Sequence, residues 1–117
     1  MNHTVVLTES EDGSTKIFGM GSSEYGQLGY GGTLTQWTPL EIKFGGNDKV
    51  TQVACGAFHT LFLTDEGKVY ACGKGTKGQL GFGTKKKNAT VPTLVPIGSE
   101  AFSLACGAQN SFVQVFK

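Results

Sequence analysis

The sequence predicts an all-β chain, a partial β-propeller built from about two four-stranded antiparallel blades. Three observations predict it. The phrase Gly-Gln-Leu-Gly-Tyr-Gly at 26–31 returns as Gly-Gln-Leu-Gly-Phe-Gly at 78–83, so the chain repeats itself at a spacing of 52. The 18 glycines, beside a hydrophobic content of only 38%, favour many short strands and tight turns over helices. No stretch carries the 3.6-residue apolar period of a buried helix face.

The repeat reaches well beyond the opening phrase. ACGAFHTLFLTDEGKVYACGKGTKGQLGFG, at 54–83, is one full unit. Its second half matches 3–31 once four residues are inserted between Thr8 and Lys16, and its first half matches ACGAQNSFVQVF at 105–116. The offset drifts from 56 at His3/His59 to 51 at Cys55/Cys106, as loop insertions around a fixed core produce. Within the unit, KVTQVAC (49–55) is the first strand and HTLFLT (59–64) the second. Asp65-Glu66-Gly67 makes a hairpin corner, and KVYAC (68–72) returns as the third. TLVPI (93–97) is a weaker, proline-interrupted fourth strand suited to an edge. Four strands recurring at about 50 residues is the period of a propeller blade.

This divides residues 1–117, one partial propeller unit, into a first repeat over 3–49 truncated at its start, a second over 50–103, and the start of a third over 104–117. The first repeat begins at His3 without the Cys-Gly pair that precedes His59, and Asn110-Ser111 stands where the other units have His-Thr. Two blades cannot close a ring, and repeat units need neighbours to bury both faces. The sequence therefore points either to a segment of a longer propeller or to completion by partners.

The stretch VACGAFHTLFLTDEGKVYACGKGTKGQLGFG (53–83) resembles the repeat of the regulator of chromosome condensation family, with its spaced Cys-Gly, His-Thr, Leu-Thr, Gly and Gly-Gln-Leu-Gly elements. The match is interrupted across 3–31 and resumes across 104–113. The resemblance implies a segment of a roughly seven-bladed propeller. It also implies a binding face that histidines can approach, which in the chromatin-bound founding member engages a small GTPase and promotes nucleotide exchange.

Gly26, Gly29, Gly78 and Gly81 are expected to hold compact turns. Leu28 and Leu80 then plug the space between blades, while Gln27 and Gln79 satisfy backbone groups. Cys55-Gly56 and Cys106-Gly107 mark the matching strand end. His59, like His3, reads as a bond to a neighbouring strand or as part of the binding face the resemblance implies. Lys74, Lys77, Lys85, Lys86 and Lys87 form a basic run that no acid interrupts, either a solvated loop or a contact for an acidic partner. Trp37 is either an exposed interface anchor or packed onto its own blade. Gly73–Gly78 matches a dinucleotide fingerprint in spacing, but Gln79–Thr84, with two glycines in six residues, cannot form the helix that fingerprint needs.

Net charge is +1, yet seven of the ten basic residues lie in 67–117 and eight of the nine acids in 1–66. All the basic residues are lysines, and the lack of arginine argues against dedicated nucleic-acid readout. Three cysteines without metal-type spacing read as reduced, buried thiols. Neither a secretory signal nor a membrane span is visible, so the expected place is intracellular: cytoplasmic or cytoskeletal, including the cilium, with the nucleus as the alternative. No cofactor, metal site or catalytic set is expected.

The leading functional expectation is a non-catalytic interaction or structural module. Its partners would be proteins, further blades or a large complex, or another copy docked head to tail by the charge split. Guanine-nucleotide exchange on a small GTPase, which the resemblance implies, and chromatin association are the alternatives.

Overall fold

The computed structural model describes residues 3–44, 49–74 and 88–95, together with the backbone of two strands at 101–106 and 111–115. The described residues form nine strands: β1 (His3–Glu9), β2 (Thr15–Gly21), β3 (Gln36–Ile42), β4 (Val50–Cys55), β5 (His59–Thr64), β6 (Val69–Gly73), β7 (Ala89–Leu94), β8 (Ala101–Cys106) and β9 (Ser111–Val115). They make three antiparallel sheets in sequence order, β1-β2-β3, β4-β5-β6-β7 and β8-β9. Among the described residues no helix is long and apolar enough to cross a membrane.

The hairpin corner at 65–67 forms as its sequence requires. Gly67 takes a φ of 79°, and Thr64 and Lys68 close the turn through a 2.9 Å backbone bond. The fourth strand differs from expectation: it runs over Ala89–Leu94 and overlaps the predicted 93–97 only at its end. Pro92 lies inside it. Proline is tolerated there because β7 is the outermost strand, with one side free of ladder bonds. Pro39 stands in the same way inside β3, the outer strand of the first sheet.

The sheets stack face to face. Side chains alternate along each strand, so His3, Val5, Leu7, Ile17 and Ile42 of the first sheet turn toward Thr60, Phe62, Tyr70 and Cys72 of the second. Ile17, Ile42, Val50, Phe62 and Cys72 form the buried cluster between them. Phe44 caps it edge-on, 5.0 Å from Phe62 and 5.2 Å from Tyr70 between ring centres. On the far side, β8 packs against β4 and β5.

Candidate interaction surfaces and the seam between sheets

The phrase that exposed the repeat builds the seam. Gly26 and Gly29 take φ values of 84° and 73°, and their N–H groups close successive turns onto Ser23 and Gly26. At Gly26 a Cβ would lie 2.7 Å from the Thr90 Cα, so only glycine lets this turn approach the next sheet. Gly31 N–H then donates to the Thr90 carbonyl at 2.8 Å. Leu28 is buried. Gln27 is fully buried too, its side-chain oxygen accepting from the Tyr25 N–H at 2.9 Å.

The main-chain carbonyl of Gln27 is the centre of the contact. It accepts from the Thr60 hydroxyl at 2.6 Å and from the Cys72 thiol at 3.4 Å. Thr60 has one hydroxyl proton, and Gln27 takes it. The 2.9 Å contact between Thr60 Oγ1 and His3 Nε2 therefore needs the imidazole as donor, which sets the Nε2–H tautomer. His3, Thr60 and Gln27 thus form a buried relay linking the sheets. Burial pushes the His3 imidazole below its ordinary value, the nearby His59 pushes the same way, and a contact with the His59 backbone pulls back.

His59 is fully buried, so it offers no surface in this arrangement. Cys72 is buried, and burial holds its thiol far above the ordinary range. Cys55 corrects the expectation of uniformly buried thiols, since it is exposed at the end of β4. Gly56 donates to the His59 carbonyl at 2.8 Å and shapes the β4–β5 turn.

Of the lysine run, Lys74 is committed to the seam. Its ammonium sits 5.0 Å from the Tyr25 ring centre and 5.4 Å from that of Phe58, while its N–H donates to the Phe58 carbonyl. Lys77, Lys85, Lys86, Lys87, Gly78, Gln79, Leu80, Gly81 and Gly107 lie outside the described residues, as does the side chain of Cys106.

Trp37 resolves in favour of exposure. It is 78% accessible at the start of the outer strand β3, where the pairing with β2 slips between Gly19 and Gly21 and leaves Trp37 without a residue directly opposite it. Beside it stands Leu34, 75% accessible, which sequence reasoning missed. Its loop is braced at both backbone polar groups of one residue: Tyr30 Oη accepts from the Leu34 N–H at 2.7 Å and donates to the Leu34 carbonyl at 2.8 Å. The only sequence signal was an apolar residue inside a Gly-Thr segment. A cleft of about 340 Å³ opens next to this loop, walled by Tyr30, Leu40 and Val91 with Glu41 and Lys43 at its edge.

The regulator of chromosome condensation (RCC1) repeat model matches residues 15–63 and again 66–114. The chain belongs to the RCC1 repeat family. It is 46% identical over 81 residues to the ultraviolet-B receptor UVR8 of Arabidopsis thaliana, a match covering 69% of this chain and 18% of that protein. It is 42% identical over 88 residues to the X-linked retinitis pigmentosa GTPase regulator of Canis lupus familiaris (75% and 8%), and 35% identical over 112 residues to protein RCC2 of Mus musculus (95% and 21%).

Human WBSCR16 superposes with a TM-score of 0.74 at 33% identity, over 91% of this chain and 27% of that one. Yeast RCC1 (Prp20), solved bound to Kap60, gives 0.77 at 22% identity over 96% and 28%, which shows the shared fold. The three sheets are therefore blades of an RCC1-type β-propeller. The chain spans about a fifth or less of the length of these curated relatives.

Proposed function

We propose that this RCC1-repeat chain is a non-catalytic protein-interaction module, a propeller segment that works within a longer propeller or a larger assembly. The observation that carries the reading is the pair Leu34 and Trp37, two large apolar side chains more than 70% accessible, the first on a loop that Tyr30 braces and the second at the start of strand β3. A rigid β framework presenting a pre-ordered aromatic anchor lowers the ordering cost of association. An intracellular setting belongs to the same proposal, whether cytoplasmic, cytoskeletal or nuclear.

Affinity purification of the full chain from its own cells, with and without the double substitution L34A/W37A, tests it. The expected result is loss of co-purifying proteins with an unchanged melting temperature. An unchanged protein set, or none in either case, contradicts it.

A second reading, regulation of a small GTPase, draws support from its relatives: the canine protein is named a GTPase regulator, and a yeast Prp20p structure is described with its binding to Gsp1p and histones. Fold alone is a weak warrant for that activity. Acceleration of nucleotide release from small GTPases by the purified chain would support it, and none at high protein concentration would remove it.

A further inference from the structure

A second cleft, of about 210 Å³, lies where the start of β2 and the end of β3 meet the start of β4. Ile42, Phe44 and Val50 give it an apolar floor continuous with the buried cluster between the sheets. Lys16, Lys43 and Thr15 also line it, and both lysines are exposed. Ile17 pairs with Ile42 in the ladder, so the next position outward sets Lys16 opposite Lys43. Like charges placed so repel each other. Among the described residues neither lysine is in an ion pair, unlike Lys68, which meets Glu66 at 3.5 Å. Lys49 adds a third charge nearby. Its ammonium reaches the β1–β2 turn, 4.0 Å from the place of a Cβ on Gly13, where Ser14 already occupies the Asp12 carboxylate. These are all three lysines of residues 1–66, a stretch that holds eight acids.

Size decides what fits. Sites for small molecules run to about 300–1,000 Å³, whereas a cavity of about 150 Å³ already takes a benzene ring. At about 210 Å³ this cleft suits one aromatic or branched side chain and not a whole drug-sized ligand. Charge decides what surrounds that side chain, since two unpaired ammonium groups at the rim favour carboxylates on either side of it. We propose that the cleft is a docking site for an acidic peptide segment of a protein partner, with one large apolar residue seated on Phe44 and Val50 and its flanking carboxylates on Lys16 and Lys43. Glu41 lines this cleft as well as the neighbouring one, and its charge opposes such a segment. The inference rests on the reading of the chain as an interaction module. It goes further by assigning a surface apart from Leu34 and Trp37 and the chemistry of what binds there.

The test is titration of the isotope-labelled full chain with the peptide acetyl-Glu-Asp-Phe-Glu-Asp-amide, followed by backbone amide chemical shifts. Saturable shifts are expected at Lys16, Lys43 and Phe44, and replacing the peptide's Phe by Ala should weaken binding at least about tenfold. Lys16→Gln and Lys43→Gln should each weaken it about two- to fivefold, as loss of an exposed ion pair does. Glu41→Gln should tighten it. The proposal is overturned by equal binding of Lys-Lys-Phe-Lys-Lys, by unchanged affinity in the double lysine variant, or by weaker binding in Glu41→Gln. Absence of a saturable shift up to about 10 mM peptide overturns it too. None of these results removes the module reading, which the L34A/W37A purification decides at its own surface.

Discussion

At the scale of single residues, the seam depends on one hydroxyl. Thr60 serves two partners from different stretches of the first blade, the His3 imidazole and the Gln27 carbonyl. Thr60→Val keeps the volume and strands both partners in a buried place, which should cost about 1–3 kcal/mol. Thr60→Ser should recover most of it, and urea unfolding measures both; equal losses would mean that packing, not the relay, is what matters.

His3 adds a pH dependence whose sign is fixed by its lowered value. Below the ordinary value of 6.5 the unfolded chain takes up a proton that the folded imidazole resists. Stability should therefore be level above 6.5 and decline as pH falls through the lowered folded value. His3→Gln should flatten that part of a melting-temperature profile between pH 8 and pH 5. A profile identical to that of the parent chain would contradict the assignment. The recurrence of His-Thr at 3–4 and 59–60 is plain in the sequence, but which Thr meets which His is not. That contact joins residues 57 apart and exists only once blades stack.

At the scale of elements, local pattern is a reliable guide where local forces decide. HTLFLT forms β5 over the expected residues, since its alternation and the glycine corner after it suffice. The fourth strand begins four residues earlier than expected, at Ala89, and runs through Pro92, because an outer strand has a free side that needs no N–H. Trp37 is undecided in sequence for a related reason: whether a loop folds back on its blade depends on register, and the slip at Gly19/Gly21 is invisible in composition. The outer prolines also carry a prediction. Pro39→Val with Pro92→Val should leave the fold within about 1 kcal/mol and raise self-association seen by light scattering, because both outer edges lose their guard. A chain that stays monomeric at high concentration would contradict that role.

At the scale of the whole molecule, the described residues make one complete four-stranded blade, a three-stranded blade before it and a two-stranded sheet after it. The complete blade is covered on the face that the first blade meets, and the first blade has the matching face bare. The repeat period made the blades legible; the uneven covering of equivalent residues needed the structure. Amide hydrogen exchange on the isolated full chain tests this most directly. β5 lies between two strands, so the amides of His59–Thr64 should be protected throughout, whereas β1 bonds only to β2 and every second amide of His3–Glu9 should exchange quickly. Uniform protection of β1 equal to that of β5 would contradict an open edge on the first blade, and with it the reading of the chain as a propeller segment with an unpaired outer strand.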